Sequence, residues 1–135
     1  MMNISKALLA TAAASMVLFT ACKKDDEAPQ IVVESPANET VVAPGSTFEL
    51  EIDFTDNEEL SEYDIDIHEA GGHSHGKVAA EWDAEFSGQL SGTSEHVHLD
   101  ISVPGDAEVA AYHIEVNCLD KEGNKGQEVV EIDVE

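Results

Sequence analysis

Arginine is absent from this 135-residue chain, and its cationic side chains are six lysines against 29 aspartates and glutamates. A formal charge of −23 excludes a surface that holds nucleic acid or anionic lipid headgroups, since both need clustered cations. The same acidity draws cations weakly and generally, but a solvated acidic face is its usual meaning and does not define a site. Cysteine is nearly absent, with Cys22 and Cys118 alone, so no thiolate ligand set can be assembled. Cys118 falls in phase with Tyr112, Ile114 and Val116, which predicts a buried, inert thiol. Beyond the N-terminus no segment repeats its apolar residues with a helical period. Gly-x-Ser-x-Gly, His-Glu-x-x-His and a Gly-rich phosphate loop are all missing, which points away from an enzyme.

What is present begins with an address. Met1 to Lys6 carries one positive charge, and Ala7 to Phe19 is apolar but too short and too poor in bulky residues for a membrane span. It ends in Leu18-Phe19-Thr20-Ala21-Cys22, which resembles the lipobox of bacterial lipoproteins. That resemblance implies a signal peptide over residues 1–21 and a lipid on Cys22, anchoring the chain to a membrane. Residues 22–30 read as the lipidated cysteine and a polar tether. Within them Lys23-Lys24-Asp25-Asp26-Glu27 resembles the export signal that follows the lipid cysteine in Bacteroidota surface lipoproteins. The expected location is therefore the outer membrane, facing outward.

Residues 31–135 read as one domain built of strands. Phe48, Leu50, Ile52 and Phe54 alternate with Glu49, Glu51 and Asp53, the period of a half-buried strand. Tyr63, Ile65 and Ile67 alternate with Asp64, Asp66 and His68. Val97 to Val103, Tyr112 to Cys118 and Val130 to Val134 repeat the pattern, and Ile31 to Glu34 and Val41-Val42 are shorter runs. Asp120-Lys121-Glu122-Gly123-Asn124 suits a hairpin, with glycine available for positive φ. About seven short strands in roughly a hundred residues predict an all-β, Ig-like antiparallel sandwich. Trp82 and Phe86, in the weaker stretch from Glu81 to Leu90, are expected to cover the core beside a short middle strand; the functional alternative is a ligand-stacking Trp82.

Ser35-Pro36-Ala37-Asn38, Asp56-Asn57-Glu58-Glu59-Leu60, Asp64 to His68, the His-x-His at 73–75, His96-Val97-His98, Tyr112-His113, and Asp120 with Gly123-Asn124 together resemble a family of small Ig-like Bacteroidota lipoproteins known as a domain of unknown function. The resemblance implies the sandwich and the surface address. It supplies no reaction and no ligand set.

The candidate site is argued from six histidines: His68, His73, His75, His96, His98 and His113. Imidazoles beside carboxylates are what a borderline divalent ion seeks. Residues i and i+2 of a strand share a face, roughly 6.5–7 Å apart, so His96 and His98 form one pair on the polar phase. His68 and His113 are also in polar phase, on strands expected to be sheet neighbours. The pliable Gly71-Gly72-His73-Ser74-His75-Gly76 can fold its rings back over His68. The expected set is therefore His68, His73, His75 and His113, binding zinc or copper, with Asp66 and Glu115 behind the rings. His96 and His98 either join it or form a second site, since a simple sandwich assigns their strand to the other sheet.

Calcium is a weaker expectation. Asp53, Asp56, Asn57, Glu58 and Glu59 crowd one turn, while Asp120 and Asn124 sit in another, and hard cations take oxygen ligands at turns. No EF-hand spacing supports it, and turn formation explains both clusters equally well. The chain thus reads as a surface-anchored, non-catalytic lipoprotein binding zinc or copper. The alternative is an Ig-like adhesion or accessory module for a protein or glycan, with structural or pH-sensing histidines.

Overall fold

The computed structural model describes residues 23–71 and 82–135. Residues 1–21, over which a signal peptide is expected, and Cys22, His73 and His75 lie outside the described residues. Among the described residues alternation produces eight strands: β1 (Gln30–Ser35), β2 (Thr40–Val42), β3 (Thr47–Thr55), β4 (Leu60–Glu69), β5 (Ala84–Gln89), β6 (Ser94–Ser102), β7 (Ala110–Asp120) and β8 (Lys125–Val134). They form a three-stranded sheet, β1-β3-β6, and a five-stranded sheet, β2-β8-β7-β4-β5. Among the described residues no helix is long and apolar enough to cross a membrane. The fold is an all-β, Ig-like sandwich, with one strand more than the seven expected. The first apolar run enters one sheet as β1, and after the turn at Ser35–Asn38 the next joins the other as β2, parallel to β8. Such a change of sheet closes the corner of a sandwich.

The inward phases of both sheets meet in one core. Leu50, Ile52, Phe54 and Ile101 come from the smaller sheet; Ile65, Ile67, Ile114, Val116, Ile132 and Val134 come from the larger. Each is at most 1 % exposed, and burying an Ile, Leu or Phe of this kind contributes about 1.5–3 kcal/mol. Tyr112 is fully buried, and its hydroxyl donates to the Glu108 carbonyl four residues upstream at 3.0 Å, the tyrosine corner of Ig-type sandwiches. Trp82 is 5 % exposed and lies against Tyr112, with ring centroids 5.3 Å apart. The indole is therefore core, and the ligand-stacking alternative is corrected: no face of it is free to receive a sugar or a partner. Phe86 lies on β5, partly buried against the same core.

The β7–β8 hairpin forms as its sequence dictates. Gly123 takes φ +89°, a left-handed conformation that side chains disfavour. Asn124 N–H donates to Asp120 Oδ1 at 2.8 Å, and the Asn124 amide donates to Oδ2 at 2.7 Å. The Asp120 carboxylate thereby ties the turn across its own loop.

Candidate functional site

The register of the larger sheet places His68 directly opposite His113 and His113 opposite Glu131. The two rings meet edge-on, with centroids 5.8 Å apart and planes at 84°. His113 Nε2 is 3.3 Å from Glu131 Oε2, and His68 Nδ1 is 3.4 Å from Asp66 Oδ2. Glu115 is otherwise engaged, accepting from Gln127 at 2.6 Å and Asn117 at 3.2 Å. The expected pairing of His68 with His113 is present, and Asp66 stands beside it, while Glu115 Oε1 is taken up by Gln127 and Asn117.

His96 and His98 occupy β6, in the other sheet, on its outer face. The two sheets present their wet faces on opposite sides of the core, so His96 and His98 cannot join His68 and His113 on one ion. Of the two alternatives for His96 and His98, joining that set is thus corrected, and the cause is topological: β6 pairs with β3, away from β4 and β7. His96 Nδ1 lies 2.6 Å from Asp53 Oδ1, and this hydrogen bond raises the ring above its ordinary 6.5 despite the opposing cost of burial. His98 lies between Glu51 and Asp100, with Nδ1 3.4 Å from Glu51 Oε1 and Nε2 3.5 Å from Asp100 Oδ1.

Among the described residues, two triads bring one metal-binding atom from each member within 4.8 Å of the others. One is Glu49, His98 and Asp100, all exposed. The other is Asp25, Asp56 and Asp120, at the end of the sandwich where the tether arrives. Strand phase explains the second. Leu50, Ile52 and Phe54 point inward, and Asp56 is the next residue in that phase; Val116 and Cys118 point inward, and Asp120 follows. Two carboxylates therefore cap the core, and Asp120 is 3 % exposed.

The tether supplies the third. Asn57 donates to Asp25 Oδ1 at 2.9 Å, and the Asn124 amide donates to the Asp25 carbonyl at 3.2 Å across 99 positions. Gly126 lets the tether approach, because a Cβ there would collide with the Pro29 carbonyl. Asp56 Oδ2 accepts the Glu58 N–H at 3.0 Å. Asp25 Oδ2 and Asp56 Oδ1, by contrast, each expose less than 1 Å² and meet no hydrogen-bond donor. An orphaned carboxylate oxygen in such a position costs several kcal/mol unless a cation or donor reaches it, about 1–3 kcal/mol even for a neutral group. Burial acts to raise the Asp120 carboxyl, but hydrogen bonds from the Asn124 side chain and from the Asn124, Gly123 and Glu122 backbones outweigh it and hold the group below its ordinary range. The turn thus favours the ionised form of Asp120.

Cys118 lies just inside this cap. Burial, reinforced by the charges of Asp56 and Asp120, pushes its thiol up to about 12, so it is a neutral core residue. Sequence reasoning anticipated Asp56, Asn57, Asp120 and Asn124 as two separate turns. It assigned Asp25 to the tether and to no site.

The chain belongs to the family described as Domain of unknown function (DUF4625), which it matches over residues 20–135. No curated protein matches it. Among solved structures it is similar to the sporulation control protein Spo0M from Bacillus subtilis, at 11% identity and TM-score 0.53, covering 80% of this chain and 49% of that one. It is also similar to a DUF4466 family protein from Parabacteroides merdae, at 11% identity and TM-score 0.52, over 76% of this chain and 42% of the other. A fibronectin(III)-like module of Clostridium thermocellum CbhA aligns at 13% identity and TM-score 0.47, over 78% and 94% of the two chains. The chain spans less than half the length of the first two. These likenesses concern the sandwich alone.

Proposed function

We propose that this protein is a non-catalytic Ig-like binding module, lipid-anchored through Cys22 at the outer membrane surface, that binds calcium where its tether meets the sandwich. Asp25, Asp56 and Asp120 are the ligands, and Asn57 and Asn124 hold the carboxylates in place. The observation that carries this reading is the pair of sealed carboxylate oxygens, Asp25 Oδ2 and Asp56 Oδ1, with no donor to satisfy them. A set made of oxygen alone suits a hard cation and not zinc or copper, which seek nitrogen or sulfur. Bound calcium neutralises three carboxylates that otherwise repel, and it fastens the tether to the turn after β3 and to the β7–β8 hairpin. The domain is then held at a defined angle to its anchor. Zinc or copper through His68 and His113 has two adjacent rings in its favour, but its remaining expected ligands, His73 and His75, lie outside the described residues.

Calorimetric titration of the purified protein with calcium chloride tests the reading. One calcium per chain is expected, with a dissociation constant of about 0.1–1 mM, the range of extracellular modules. Asp56→Asn and Asp120→Asn should each weaken it at least about tenfold, equivalent to 1.4 kcal/mol. Absence of binding at about 10 mM calcium, well above that range, overturns it.

A further inference from the structure

The triad of Glu49, His98 and Asp100 lies on the outer face of the smaller sheet. The wet face of the β1-β3-β6 sheet bears no lysine or arginine on any of its strands. Its central rows set Asp53 opposite His96, Glu51 opposite His98, and Glu49 opposite Asp100. The first two rows pair an acid with a base. The third sets two carboxylates directly across from each other, an arrangement that destabilises an antiparallel pair.

His98 stands beside that row with a carboxylate at each nitrogen: Glu51 Oε1 at Nδ1 and Asp100 Oδ1 at Nε2. With Nδ1 facing Glu51, Nε2 faces Asp100, and one metal-binding atom from each of Glu49, His98 and Asp100 lies within 4.8 Å of the others. A divalent cation held by these three side chains relieves the like-charged Glu49–Asp100 row. Glu51 then plays the part that a carboxylate behind a metal-bound histidine ordinarily plays, fixing the tautomer and the ring plane. The donor set of one imidazole and two carboxylates suits zinc or copper(II), unlike the oxygen-only cap at the tether.

We infer that Glu49, His98 and Asp100 form a surface site for zinc or copper(II), positioned by Glu51 and independent of the calcium site. All four side chains project from regular strands into solvent or half into it, so their replacement leaves the core intact.

The test is a zinc chloride titration of the purified protein in saturating calcium, by calorimetry and by the NMR signals of the histidine rings. One zinc ion is expected to bind with the His98 ring shifting at Nε2. His98→Ala should abolish the event, Asp100→Asn should weaken it at least about tenfold, and Glu51→Gln should weaken it by about 10–100-fold through the ring alone. Asp56→Asn should leave zinc affinity unchanged while weakening calcium binding at least about tenfold, which separates the two sites. Undiminished zinc binding in His98→Ala, or its loss in His68→Ala or His113→Ala instead, overturns the assignment. So does the absence of any zinc-induced shift at His98.

Discussion

Asp56→Asn gives the sharpest test of the cap, because the two explanations of its oxygens predict opposite signs. Asparagine keeps an oxygen that can accept the Glu58 N–H, so the turn survives the change. It removes one of three carboxylates that approach within 4.8 Å. At an effective dielectric of about 20, each such pair repels by on the order of 3 kcal/mol, an upper bound for groups partly open to water. In chelator, then, Asp56→Asn should be as stable as the parent or more so by about 1–2 kcal/mol once solvent screening is allowed for. In calcium the order reverses. At a free concentration about 100 times the dissociation constant, the parent gains about 2.7 kcal/mol, and the variant forgoes most of it. For a domain of about 100 residues this corresponds to a rise of about 10 °C in Tm in the parent alone. Thermal denaturation followed by circular dichroism, with EDTA and with calcium, measures all four values. A parent Tm indifferent to calcium would refute the reasoning. So would an Asp56→Asn variant destabilised equally in both buffers, which is the signature of a turn residue and nothing more.

Three other outcomes are expected. Gly126→Ala should push the tether away at Pro29, exposing residues 23–29 to limited proteolysis and weakening calcium binding while the rest of the sandwich stays folded by circular dichroism. Tyr112→Phe keeps the buried ring but loses the bond to Glu108, and should cost about 1 kcal/mol in urea denaturation, with an unchanged slope. Cys118, its thiol held near 12, should resist alkylation at neutral pH in the folded protein and react fully in denaturant, as mass spectrometry of the labelled peptide will show.

The strands were legible because their apolar residues alternate so strictly. Phe48 to Phe54 and Tyr112 to Cys118 leave only one face to bury, and burial chose it. The pairing of His68 with His113 followed from phase and from the neighbouring order of their strands. The separation of His96 and His98 from that pair depends on which sheet takes β6, a tertiary outcome that local period does not encode. Half of the acidic cap was also within reach. An aspartate that continues an inward phase, as Asp56 does after Phe54 and Asp120 after Cys118, is a charge placed where the pattern calls for an apolar residue. Nothing local marks Asp25. Its partners Asn57 and Asn124 lie 32 and 99 positions away, and only the folded sandwich brings the tether between them.

The attachment of Asp25 ahead of β1 also decides how the domain bears load. Tension arriving from the N-terminal side reaches the asparagine clasp and the Pro29–Gly126 contact before any hydrogen bond of the β1–β3 ladder. Were calcium bound there as proposed, that clasp would become a mechanical fuse. The stem would have to break free of its coordination before drag or shear could begin to peel the first strand, and ambient calcium would set the force at which the domain starts to unravel.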